Sequence, residues 1–223
     1  MNQFLQNFAN LDSLVLIYPL LLQGIQLSVM LAGVALPLSI VTGLTIAVLY
    51  SFEIRWLRAL LLVYIDLFRS FPVLVLLVLI YFGLPFFGLK LGGFTAVVLA
   101  LVLNNSGYFG EIFRAGVNSV SNGQREAARA LGFKPVRMAL VIILPQAIRN
   151  VIAPLASNSL ELVKTTSIAS MVALPELLRS ARVAQEQTYN PTPLMAAAVI
   201  FFVLLWPVAR WVGRLERQTL VTR

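Results

Sequence analysis

A chain of 223 residues that is 59% hydrophobic and only 12% charged, with a mean hydropathy of +0.87, carries about half the charge of an ordinary soluble domain and belongs in lipid. It has no cysteine and no histidine, which excludes disulfides, Cys/His metal sites, histidine general bases and cysteine nucleophiles. The net charge of +8 does not argue for nucleic acid, because the basic residues lie between long apolar runs and not on one soluble face.

The segment Met1 to Ser13 contains no Lys or Arg, so the basic start of a cleavable signal peptide is missing. The apolar stretch Leu14 to Tyr50 that follows is too long for a signal core. It is read as an uncleaved first membrane segment, with part lying along the interface and a span from about Leu22 to Leu49. A second span is predicted over about Leu57 to Phe82 and a third over about Gly93 to Phe113. A basic, mixed segment from Arg114 to Arg149 precedes a fourth, more polar span, Val151 to Met171, and a fifth, Leu194 to Val212. Between these two, Leu174 to Pro193 reads as a short helix, with Pro175 near its start and Asn190-Pro191 after its end. The expectation is an all-α polytopic membrane protein of about five transmembrane helices, forming a single domain over residues 1–223.

Orientation follows from Lys and Arg, which are enriched in cytoplasmic loops. Arg55 and Arg58, then Arg114, Arg125, Arg129, Lys134, Arg137 and Arg149, then Arg210, Arg214, Arg217 and Arg223 fall on one side of a five-span chain. Lys90, Lys164, Arg179 and Arg182 fall on the other, and Arg69 lies within the second span. The expected topology is N-terminus out and C-terminus in.

The cytoplasmic segment of about 114–149 is the most informative. Asn122 can cap a helix that Glu126-Ala127-Ala128-Arg129-Ala130-Leu131 continues with strong helix formers. Gly132 ends it, and Lys134-Pro135 opens a second helix. Two short surface helices joined by a glycine turn are expected, with Ala127 and Ala128 leaving the first narrow enough to lie in a groove of another protein and Glu126 offered to a cation. The spacing Glu126-Ala127-Ala128, Gly132, Ile142, Leu144, Pro145 resembles, at every fixed position, the EAA loop of ABC importer permeases.

The resemblance narrows to permeases for polar amino acids and covers nearly the whole chain. It is carried by Phe68-Arg69-Ser70-Phe71-Pro72 with Ile80 to Pro85, by Asn105-Ser106-Gly107-Tyr108 with Glu111 to Gly116, by Lys164 to Ile168, and by Val172 to Leu177. It implies a subunit of the bacterial inner membrane paired with a second permease chain, identical or related. Two ABC ATPase subunits would lie below and an extracytoplasmic solute-binding protein above. Glu126, Ala127, Ala128, Gly132, Leu144 and Pro145 would couple the path to the ATPase. This chain has no phosphate-binding loop of the G-x-x-x-x-G-K-[ST] type. It is therefore expected to need no cofactor and to be no enzyme, with ATP and Mg on the partner ATPase.

Polar groups within the spans are the candidates for the solute path, because charges in lipid are costly and face a cavity or a partner. Asp66 and Arg69 are one turn apart; Arg69 meets a substrate carboxylate, or is locked to Asp66 or to a carbonyl freed by Pro72. Asn104, Tyr108 and Glu111 form a stripe on the third span, Asn104 suited to interhelix hydrogen bonding and Glu111 to a pair with Arg114. Asn158, Glu161 and Thr165 share a face of the fourth. Glu161 would take a substrate ammonium, or pair with Lys164 and touch no ligand. The resemblance also implies extra acidic residues in this span in members importing cationic amino acids; Asn158 and Thr165 stand at those places, which argues against Arg or Lys as cargo. Two rival readings are an ABC permease for another small polar solute, and a secondary carrier or channel subunit, which predicts inverted repeats not evident here.

Overall fold

The computed structural model describes residues 8–52 and 54–221; the Lys- and Arg-free start before Phe8, and Arg223, lie outside the described residues. Helix α1, Leu11–Ser51, opens on Asn10, whose side chain accepts from the N–H of Ser13 at 3.1 Å. Its 41 residues make a rod of about 60 Å, twice the hydrocarbon thickness. Pro19 and Pro37 lie inside it without ending it, so no break sets off the interfacial part expected before Leu22.

The second predicted span is not one straight helix. Helix α2, Arg55–Ser70, and helix α3, Val73–Phe87, meet at a 95° bend. Proline lacks an N–H and drives the residue before it out of the helical region. Accordingly Phe71 and Pro72 are extended, with ψ of 129° and 128°. Among the described residues four helices are long and apolar enough to cross a membrane, and the bent pair makes a fifth crossing when counted as one.

Helix α4, Gly93–Ser119, is the centre of the bundle, with α1, α2 and the later helices around it. Lipid offers no hydrophobic drive between helices, so close approach depends on small residues. A Cβ at Gly43 of α1 would come within 2.5 Å of Cβ of Phe109, a distance that only glycine permits. The surrounding core joins Leu31, Ala35 and Ala47 of α1 to Val97, Leu101, Phe109 and Phe113 of α4.

Helix α5, Asn122–Ala130, is followed by Gly132 at φ 72°, a left-handed turn natural to glycine. The second helix of the loop is not a separate short element. It is the first turn of α6, Pro135–Val172, which runs on without interruption through the fourth span. Continuity past Leu144-Pro145 is achieved by a π-helical segment, Ala139–Ile143, directly before that pair. A second π segment, Leu79–Gly83, precedes Leu84-Pro85 in the same register. Widening the turn ahead of each proline accommodates the missing i to i−4 bond.

Helix α7, Leu177–Thr188, is capped by Glu176, whose carboxylate accepts from the N–H groups of Leu178 and Arg179 at 2.9 and 2.8 Å. Helix α8, Thr192–Val221, ends the described chain. It packs on α6, α7 and α1 and presents a broad apolar face outward.

Candidate functional site

The site forms where the second span breaks. Phe71 and Pro72 leave carbonyls without helical donors, and α4 supplies one: Asn104 Nδ2 donates to the carbonyl oxygens of Phe68 and Phe71 at 2.8 and 3.0 Å. Asn104 therefore has the interhelix role its stripe suggested. One turn on, the Tyr108 hydroxyl donates to the Arg69 carbonyl at 3.4 Å. The Arg69 guanidinium lies 5.4 Å above the Tyr108 ring and 4.0 Å from Glu111.

The Asp66–Arg69 pair offered by their spacing is not formed. Arg69 turns toward α4, while Asp66 is exposed and has no ion-pair partner among the described residues. Nor does a backbone carbonyl among the described residues take the Arg69 guanidinium. Its Nε is buried without a hydrogen-bond partner. Glu111 is held mainly by Arg114, in a two-pronged bond of 2.7 and 2.6 Å.

Across from α4, Asn158, Glu161 and Thr165 of α6 face the same space. A cavity of about 430 Å³ is lined by Arg69 to Val73, Asn104, Asn105, Tyr108, Asn158, Glu161 and Thr165. Of the intramembrane candidates read from the sequence, Arg69, Asn104, Tyr108, Asn158, Glu161 and Thr165 converge there from three elements, while Asp66 and Glu111 do not line it. Asn158 Nδ2 is a second buried donor without a partner. Glu161 pairs with Lys164 at 3.1 Å, but both side chains are about half exposed, at 65% and 48%. The Thr165 hydroxyl donates to its own helix, at the Glu161 carbonyl, 2.8 Å away. Sequence reasoning passed over Asn105, Ser70 and Phe71 as lining residues; for Ser70 and Phe71 the Phe71-Pro72 break was the available signal.

The charged loop has a different geometry from the one expected. Ala127 and Ala128 do not form one narrow outward side, since consecutive helical residues point about 100° apart. Ala128 is buried, at 1%, against the π segment of its own chain, while Glu126, Ala127 and Ala130 are exposed. Leu131, at 76% exposure, stands beside them as an apolar group that sequence reasoning did not single out. Leu144 is half-buried and Pro145 exposed at the start of the main part of α6.

A helical bundle with long apolar helices, a polar cavity at a broken crossing and a charged helix carried outside the bundle defines a multi-pass transport component of a membrane. The chain belongs to the binding-protein-dependent transport system inner membrane components, the family whose pattern matches residues 35–221. It is 36% identical over 202 residues to the probable glutamine ABC transporter permease protein GlnM of Bacillus subtilis (strain 168), covering 90% of this chain and 94% of that one. It is 33% identical over 202 residues to the probable amino-acid ABC transporter permease protein YckA of the same organism, covering 90% and 89%. Among solved structures it resembles an amino acid ABC transporter crystallised with histidines, at 35% identity and a TM-score of 0.82, over 92% of this chain and 97% of that one.

Proposed function

We propose that this chain forms the translocation path of an ATP-driven importer for polar amino acids, and that the cavity at the α2–α3 break is where the solute passes. The observation that carries this reading is the chemistry of the cavity. Two buried donors without partners, Arg69 Nε and Asn158 Nδ2, share it with an acceptor, the Glu161 carboxylate. An unpaired buried donor costs about 1–3 kcal/mol unless something supplies the missing acceptor. A free amino acid supplies a carboxylate for the donors and an ammonium for Glu161. The names of the relatives, an amino-acid permease and a glutamine permease, agree with this cargo.

The chain works as one of a pair, with two ATPase subunits against Glu126, Ala127, Gly132 and Leu131 and a binding protein on the opposite side. ATP and Mg reside on the ATPase. The Lys and Arg distribution sets the N-terminus outside and the C-terminus inside. A reporter active only outside the cytoplasm should work when fused near residue 183 and fail after Arg223; the reverse would overturn the orientation and the role of α5.

The cargo is tested by mass spectrometry of small molecules retained by the purified assembly, compared with an Arg69→Met, Asn158→Leu variant. A polar amino acid retained by the natural chain and lost from the variant is the expected result. Retention of a different class of solute, or equal retention by both, would overturn the assignment.

A further inference from the structure

We propose that the end of α8 holds the phosphodiester headgroup of an anionic phospholipid. At 100° per residue, Trp206, Arg210, Gly213, Arg214 and Arg217 fall within about 100° of one another on the helix surface. With Ala209 they line a recess of about 300 Å³. At Gly213 the recess is open, since a Cβ there would meet nothing within 4 Å.

Three positive charges meet in this recess without a carboxylate to answer them. None of the three arginines has an ion-pair partner among the described residues, and Arg210 sets its guanidinium 5.0 Å above the Trp206 ring. The nearest acid in sequence, Glu216, lies on another face and accepts from the Ser157 hydroxyl of α6 at 2.9 Å. Guanidinium groups match phosphate oxygens in planar, two-pronged geometry.

The occupant follows from what continues the same face. Toward the middle of α8 it carries Val199, Phe202 and Val203, all exposed and apolar, with Phe202 stacked on Trp206 at 6.2 Å. Apolar side chains, then an interfacial tryptophan, then arginines repeat the order of acyl chain, interface and headgroup in a phospholipid. A soluble anion would use only the last part of that order, and an acidic protein groove would not need the first. The inference rests on the chain being a membrane component and not on its orientation or cargo.

The test titrates the purified, assembled importer with phosphatidylglycerol and with phosphatidylcholine of the same acyl chains, counting bound lipid by native mass spectrometry. The natural chain should prefer phosphatidylglycerol. Arg210→Gln, Arg214→Gln and Arg217→Gln together should remove that preference, by about fivefold per arginine. The three corresponding lysine changes should keep most of it, and Gly213→Leu, with every charge intact, should weaken it by filling the recess. Lys90→Gln, a basic residue elsewhere, should change nothing. Equal retention of both lipids, or a preference unaltered by the glutamine and Gly213→Leu variants, overturns the proposal. Displacement of phosphatidylglycerol by an equal concentration of inorganic phosphate also overturns it, assigning the recess to a free anion. Loss of an ATPase subunit from the glutamine variant with lipid retention unchanged overturns it in favour of a protein contact.

Discussion

The side-chain amide of Asn104 donates to the carbonyl oxygen of Phe71 at 3.0 Å, tying the middle of α4 to the residue where the second span breaks. The same nitrogen reaches Phe68 at 2.8 Å, so one side chain answers two carbonyls that Pro72 leaves open. Asn104→Leu keeps the volume and deletes both bonds. It should destabilise the purified assembly by about 1–3 kcal/mol, seen as a lower melting temperature, and reduce uptake because the cavity wall moves. An unchanged melting temperature would mean that the break does not depend on α4.

The break also marks the limit of what sequence periodicity reveals. Apolar length located every crossing, because about 20 apolar residues have no alternative in lipid but to span it. It did not distinguish a straight span from α2 and α3, since Phe71-Pro72 is as apolar as its neighbours. The proline was legible, but a proline bends one helix and is absorbed by another. Pro72 breaks its span, whereas Pro145 sits in a continuous helix behind a π segment. Local chemistry alone does not decide between these outcomes; the neighbouring Asn104 does. The cavity was legible as two polar stripes and Arg69, because helical spacing fixes which residues share a face. The neighbours of Arg69 were not, since spacing along its own helix offered Asp66 and only packing against α4 brings Tyr108 and Glu111 to it.

Glu176 gives a prediction in pH. Its side chain is fully buried at the start of α7, outside the spanning helices. Burial raises its carboxyl above the ordinary carboxylate range, against the opposing pull of the Leu178 and Arg179 N–H groups and the Arg182 charge. The folded state therefore binds this proton more tightly than the unfolded state. The stabilisation this gives is fully present below the unfolded pKa and is lost as pH rises through the folded one. Glu176→Gln does not titrate. The melting temperature of the natural chain minus that of the variant should fall as pH increases through and just above the usual glutamate range. A difference that is flat or rises with pH would contradict the burial argument.

The α5 turn yields a prediction about coupling. Gly132 is left-handed, at φ 72°, with open space where a Cβ would lie, so Gly132→Val strains the backbone without creating a clash. The strain is about 1–2 kcal/mol or more, and should tilt α5 instead of unfolding the bundle. Glu126→Lys reverses the charge of an exposed side chain. Each change should sharply reduce uptake while leaving the chain in the membrane and its melting temperature nearly unaltered. ATPase activity that continues without transport would be the expected signature. Normal uptake in both variants would remove α5 from the coupling path.

Glu161 has two partners in contention, and the structure narrows the contest. Its bond to Lys164 is 3.1 Å long but is made between half-exposed side chains one helical turn apart. Pairs of that kind contribute about 0–1 kcal/mol, so breaking this one should scarcely affect assembly. A solute ammonium in the cavity would contribute more, because it enters a polar space lined by Asn104, Asn105 and Asn158 and meets a charge it can pair with. Glu161→Gln preserves shape and removes the charge. If Glu161 receives the ammonium, uptake should fall about tenfold or more, as loss of one charge-assisted bond entails, with the melting temperature unmoved; Lys164→Met alone should leave uptake largely intact. If the residue serves only Lys164, the double change should match the natural chain in both measurements. Full uptake by a correctly assembled Glu161→Gln importer would shift solute recognition to Arg69 and Asn158, whose buried nitrogens would then be met by the carboxylate end of the solute alone.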